Sequence, residues 1–91
     1  MLHIIKSVQA LNDAVNACSK DDELLLIEDA VYAANPQHQA YSLLDGHCCS
    51  VLKPDLDARA MINRVSAQLE IVDYNGFVSM TVKHPQSLTW N

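Results

Sequence analysis

The sequence predicts an α/β domain of three layers, α/β/α, built on a mostly parallel four-stranded sheet. Three observations predict it. Leu24 to Ile27 is an unbroken run of large aliphatics, and such a run is at rest only in a strand covered on both faces, as the central strands of parallel sheets are. Short apolar runs alternate with segments whose apolar residues recur at three and four, the pattern of strand–helix–strand units. The resulting order is βαβαβαβα, and right-handed crossovers leave few ways to wind it. The strand order 2-1-3-4, flavodoxin-like, is the most economical.

Leu2 to Ile5 is the first strand, with β-branched Ile4 and Ile5. Ser7 is placed to cap a helix over Val8 to Ser19, whose inner face carries Val8, Leu11, Ala14, Val15 and Cys18. Asp21 to Glu23 turn into the second strand, Leu24 to Glu28. Asp29 to Ala34 and Gln37 to Leu44 are helical, interrupted by Asn35-Pro36 and closed by Asp45-Gly46. His47 to Lys53 is the third strand, and packing accounts for both Cys48 and Cys49. Pro54 and Asp55 open a helix to Asn63. Leu69 to Val72 is the fourth strand. Asp73 caps a last helix, Tyr74 to His84, with Phe77, Val78, Thr81 and Val82 on its packing face. The tail after Pro85 is polar apart from Leu88 and Trp90, and Trp90 either folds back on the domain or is offered to a partner.

Ninety-one residues make one domain, 1–91. A chain of this length buries only about 60–65% of its unfolded surface, so association would steady it. With a formal net charge of −5 it should be repelled by nucleic acid. It opens without a basic segment and long apolar run, and no apolar run is long enough to span a bilayer, so no membrane partner is expected and the location expected is cytoplasmic. The cysteines number three, an odd count with Cys48 and Cys49 adjacent, which fits reduced thiols.

In the expected topology the strand ends bring Ser7, Glu28, Asp29 and Asp73 to one rim, with Glu28, Asp29 and Asp73 as neighbours. Paired carboxylates there could act as acid and base or bind a hard cation, which keeps a small hydrolase or metal-binding domain among the alternatives. Capping accounts for Asp73 without any chemistry. The first strand–helix turn, Ile5-Lys6-Ser7-Val8, has no glycine and matches no phosphate-binding or dinucleotide pattern. His47, Cys48 and Cys49 are consecutive, so their side chains point to opposite strand faces and cannot converge on one ion. No metal and no cofactor are expected, and none of His3, His38, His47 and His84 is singled out as catalytic.

Several segments together resemble one family. They are Met1-Leu2-His3, the block from Glu23 to Asp29 continuing through Val31 to Ala34, the stretch Val51 to Arg59, and the ending VDYxxFVxxTVKHxxxxxW from Val72 to Trp90. In this order they are similar to the TusB/DsrH-like sulfur relay proteins, over essentially the whole chain. The resemblance implies a DsrE/DsrF/DsrH-type fold. It also implies a heterohexamer with TusC-like and TusD-like subunits. That complex takes persulfide sulfur from a TusA-like protein and hands it to a TusE-like one, toward 2-thiolation of the wobble uridine of tRNA. In such a complex the TusD-like subunit holds the sulfur-carrying cysteine, and the TusB-like subunit is structural and non-catalytic. The DsrH branch carries a cysteine in its first helix, to which Cys18 is the one residue here that could correspond. An independent persulfide-carrying sulfurtransferase using Cys18 is therefore the alternative. Tyr32, Tyr41, Tyr74 and Trp90 are the interface candidates, since aromatic anchors are enriched in interfaces.

Overall fold

A computed structural model describes residues 1–91. Its sheet contains β1 (Leu2–Ile5), β2 (Glu23–Leu26), β3 (Cys48–Leu52), β4 (Glu70–Val72) and β5 (Ser87–Trp90). The strands lie in the order β4-β3-β2-β1-β5, all neighbours parallel. The α/β class and parallel sheet are as predicted. The strand count and the 2-1-3-4 order are not: there are five strands, and each of the first three connections steps the same way across the sheet. Right-handed crossovers that step one way all lie on one face. The last connection runs back across to set β5 beside β1, so its helix covers the opposite face. β5 is the tail read as polar apart from Leu88 and Trp90, and its four residues, Ser-Leu-Thr-Trp, alternate polar with large apolar side chains.

The two faces differ in depth. Ile5, Leu24, Leu26, Cys49 and Val51 point into the larger core, with Leu11, Ala14, Val31, Leu56 and Met61 above them. Leu2, Ile4 and Leu25 point the other way and meet little more than Met80, Phe77 and Val72. Alternating strand residues thus serve both sides, which is why the Leu24–Ile27 run needed to be continuous.

On the deep face, α1 (Val8–Ala17) starts where the Ser7 hydroxyl accepts the Ala10 N–H at 3.1 Å. It stops two residues short of the predicted Ser19, and Cys18 is its extended C-cap residue. Two short 3₁₀ segments, Glu28–Ala34 and Gln39–Leu44, follow β2. α2 (Lys53–Ala58) is shorter than the predicted helix to Asn63. Its end is a Schellman closure: Met61 N–H donates to the Leu56 carbonyl at 2.8 Å and Ala60 N–H to Asp57 at 3.2 Å. Ala60 occupies the left-handed position, φ 54, where glycine is usual. The buried pair Leu56 and Met61 holds the motif closed without one.

On the shallow face lies α3 (Tyr74–Lys83), capped by Asp73, whose Oδ1 accepts the Gly76 N–H at 2.8 Å. A Cβ at Gly76 would sit 2.9 Å from Val72 Cβ, so only glycine lets this turn lie so close to β4. The predicted packing face of this helix is corrected. Met80 is buried and Phe77 half-buried, whereas Val78 and Val82 are 60% and 79% exposed, with Tyr74 at 61%. The helix is apolar on two sides, and a helix resting on a sheet can bury only one of them.

Candidate functional site

At the carboxyl ends of the strands the expected acidic rim is dismantled into separate pairs. Glu28 adopts φ 49, and its N–H donates to Asp55 Oδ2 at 2.7 Å. Its carboxylate faces Lys6 Nζ at 3.4 Å. Asp29 Oδ1 accepts from Arg59 Nε at 3.0 Å, and Arg59 also approaches Asp55 at 3.7 Å. Asp73 follows β4, which β3 separates from β2, so it is no neighbour of Glu28 and Asp29. Its side chain is spent on capping α3. Ser7 caps α1 and also donates to the Asn91 carbonyl at 3.2 Å. Glu28 is paired with Lys6, Asp29 and Asp55 share Arg59, and Asp73 is used in capping, so each carboxylate is engaged by a cation or an N–H and none is left over for acid–base work.

The polar cluster that does exist lies at the other end of the sheet. His3 is 1% exposed in β1. Its Nε2 is 2.9 Å from Asp22 Oδ2, and its Nδ1 accepts the Trp90 indole N–H at 3.0 Å. The second bond fixes the tautomer: Nδ1 is the acceptor, so Nε2 carries the hydrogen and donates to Asp22. Asp22 also accepts the Ser19 N–H at 3.0 Å and the amino group of Met1 at 3.0 Å. The Ser19 amide above all, then His3 and the Met1 ammonium, hold this carboxyl well below the usual range.

Cys18 completes the cluster, its sulfur, a His3 ring nitrogen and an Asp22 oxygen lying within 4.8 Å of one another. Cysteine, histidine and aspartate together suggest nucleophile, base and orienting acid. The hydrogen bonds assign them otherwise. Both His3 nitrogens are occupied, one by Asp22 and one by Trp90, so neither can take the Cys18 proton. The same Nε2–H offers no lone pair to a metal. Partial burial, and then the Asp22 charge, push the Cys18 thiol upward against the opposing pull of the Met1 ammonium. A thiol so placed is a poor nucleophile.

The other cysteines divide. Cys49 is buried, and burial pushes its thiol up to about 12. Cys48 is exposed, against the expectation that packing would account for it. It is the first residue of β3, where the strand has just emerged from the turn at Gly46. The aromatics divide likewise. Tyr32 and Tyr74 are exposed. Tyr41 is half-buried and donates to Ser66 Oγ at 2.8 Å, at the edge of a polar cleft of about 670 Å³ that also holds Asn35, Arg64 and Gln68. Trp90 is half-buried over His3.

The His3–Asp22–Trp90 chain escaped the sequence because its members are 19 and 87 positions apart. The one hint was a histidine inside an otherwise aliphatic strand.

A family model described as DsrH like protein matches residues 6–87. The chain is 35% identical over 95 residues to the protein named TusB of Pectobacterium parmentieri, spanning 99% of this chain and all of the relative. The figures are the same for TusB of Escherichia coli (strain K12). TusB of Enterobacter sp. (strain 638) is 38% identical over 71 residues, 76% of this chain and 75% of the relative. No helix is long and apolar enough to cross a membrane.

Proposed function

The chain belongs to the TusB/DsrH-like family, and from that premise we propose that it is a structural, non-catalytic subunit of a sulfur-relay complex. Its partners would be TusC-like and TusD-like subunits in a heterohexamer, in the cytoplasm. The complex would receive persulfide sulfur from a TusA-like protein and deliver it to a TusE-like one for 2-thiolation of the tRNA wobble uridine. The observation that carries this reading is likeness to TusB proteins over 99% of the chain. Two features support it. The thiol that clusters with His3 and Asp22, Cys18, is raised rather than activated. And α3 turns Tyr74, Val78 and Val82 to solvent on a helix without an acidic residue, whose single cation, Lys83, is already held by Glu23 at 2.6 Å. A neutral apolar stripe on a chain of net charge −5 is the part of its surface best suited to a protein neighbour.

Tyr74 and Tyr32 remain as interface residues in this proposal. Tyr41 and Trp90 act within the chain, through Ser66 and His3. Co-expression with TusC-like and TusD-like proteins tests it. A ternary complex should co-purify, and Val78→Glu, which alters an exposed side chain only, should abolish it while leaving the thermal midpoint of the isolated chain unchanged. The Cys18 carrier alternative would take its place if Cys18 acquired sulfur when the TusD-like cysteine is replaced by serine.

A further inference from the structure

The polar cleft beside Tyr41, about 670 Å³, runs against the charge of the rest of the chain. Eleven acidic residues outnumber six basic ones, yet no carboxylate lines this cleft and Arg64 does. Each of the other two clefts holds a carboxylate, Asp45 in one and Glu23 with Glu70 in the other. Arg64 is also unpaired. Lys6, Lys53, Arg59 and Lys83 each lie against a carboxylate. Among the lysines and arginines only Lys20 is as free as Arg64, and it lines no cleft. The cleft has fixed walls. One is the bend at residues 35–37 between the two 3₁₀ segments, and the other is the loop at residues 63–68 that leads into β4. The Ser66 N–H ties them, donating to the Ala34 carbonyl at 2.9 Å, and Tyr41 and Val65 root them in the deep core. The bonds inside occupy acceptors and leave donors. Asn35 Oδ1 accepts the Gln37 N–H at 3.0 Å, so the amino end of that amide is what remains. Ser66, 8% exposed, accepts the Tyr41 O–H at 2.8 Å and the Gln68 N–H at 3.1 Å, so its hydroxyl has a hydrogen left to give.

We propose that this cleft binds an extended segment of another protein and seats one acidic side chain on Arg64. The guanidinium fork matches a carboxylate through two parallel N–H···O bonds, and the spare hydrogens of Asn35 and Ser66 add to the donors around it. The number of charges selects the ligand. A nucleic acid strand is held by many cations along its phosphates, and this cleft has one, on a chain that repels polyanions. A small molecule is held in an enclosed and mostly apolar pocket, and this cleft is open and polar. A peptide with one carboxylate needs one cation and a set of groups that pair with backbone amides. Gln37, Asn63 and Gln68 are such groups, each able to donate and to accept. Asn63 precedes Arg64 and Gln68 follows it on one wall, and Gln37 stands on the other. A backbone that runs on past its acidic residue in both directions can use them all. The cleft belongs to the deep face of the sheet and α3 to the shallow one. Its occupant and a partner seated on α3 therefore do not compete, and the peptide site does not depend on the relay reading.

The test titrates the full isotope-labelled chain with acetyl-Ser-Ala-Glu-Ala-Ser-amide, whose glutamate is its only charge, and follows the backbone amides and Arg64 Nε by NMR. At millimolar peptide the shifts should map to residues 35–37 and 63–68. The same peptide with glutamine for glutamate should bind about tenfold more weakly, and Arg64→Gln should weaken the glutamate peptide by about the same factor. The two losses should not add, because they remove one contact. Arg64→Gln should leave the thermal midpoint unchanged, since Arg64 is exposed and unpaired, and Arg64→Lys should recover only part of the binding. Lys20→Gln, at the other free cation, and Val78→Glu, on α3, should leave binding as it is. Inorganic phosphate and a single-stranded oligouridylate should both bind more weakly than the glutamate peptide. No shifts at millimolar peptide, equal binding of the glutamate and glutamine peptides, or tighter binding of phosphate or oligouridylate would overturn the site. If no TusC-like or TusD-like partner co-purifies but the peptide binds, the relay reading falls and the site stands. The reverse outcome removes the site alone.

Discussion

Trp90→Phe removes one hydrogen-bond donor from the interior and little else. The phenyl ring retains most of the indole's apolar contact with the deep core, but His3 Nδ1, in a residue 1% exposed, loses the N–H it accepts at 3.0 Å. Leaving a buried acceptor unpaired costs about 1–3 kcal/mol. The smaller ring adds a fraction of that, since Trp90 is only half-buried. A chain of 91 residues has a total stability of roughly 5–14 kcal/mol at about 0.05–0.15 kcal/mol per residue, so a loss near 2 kcal/mol is plainly visible. Trp90→Ala should cost more, because the ring leaves as well. The assay is urea unfolding followed by far-ultraviolet circular dichroism, since Trp90 is the only tryptophan and the variants have no indole fluorescence. The slope should be unchanged and the midpoint lower. A Trp90→Phe stability within about 0.5 kcal/mol of the parent would refute the reasoning, being the size of an ordinary surface substitution. So would nitrogen NMR showing the His3 proton on Nδ1.

Three further outcomes follow from the same geometry. Alkylation at neutral pH should label Cys48 first, Cys18 slowly and Cys49 only after unfolding; peptide mapping against time checks this, and a Cys18 that reacts first contradicts the His3 assignment. Asp22 and Glu23 are both held below their ordinary values, Asp22 chiefly by the Ser19 amide and Glu23 chiefly by the Lys83 hydrogen bond. Groups depressed in the folded state stabilise it above their unfolded values, about 3.9 and 4.3, and lose that contribution as pH falls through their folded values. The urea midpoint should therefore drop below about pH 4.5, and less steeply in Asp22→Asn. Asp73→Ala should cost about 1 kcal/mol by uncapping α3, with Asp73→Ser restoring most of it in thermal melts.

What the sequence made legible was whatever depends on near neighbours. The buried run at Leu24, the caps at Ser7 and Asp73, and the turn at Gly46 (φ 79) are all set within a few residues. The end of α2 was hidden because Ala60 stands where glycine would announce a left-handed cap, and only the burial of Leu56 and Met61 explains it. The inward stripe of α3 was misplaced because both of its sides are apolar, and the sequence does not say which one meets the sheet. Strand order was missed for a related reason. A four-residue tail with two large apolar side chains is too short to declare itself a strand, yet adding it determines which way the sheet grows. Of the candidate site, the sequence located Cys18 and the rim acids but not their partners. Cys48 was read as packed because nothing local shows that a strand's first residue stands clear of the core.

The return of the last connection also sets a timetable. Ribosomal synthesis delivers β1 to β4 and the helical cover of one face first, while Leu2, Ile4 and Leu25 still have nothing over them. Their cover, α3, and the strand that seals the β1 edge come from residues 74 to 90. The nascent domain therefore carries a sticky underside and an open edge for most of its synthesis. Its first strand is paired on both sides only when Ser87–Trp90 reaches back to it. In a cell this makes the unfinished chain a natural client for chaperones. It also means that losing a few residues near Trp90 would harm yield well beyond what their small share of the core suggests.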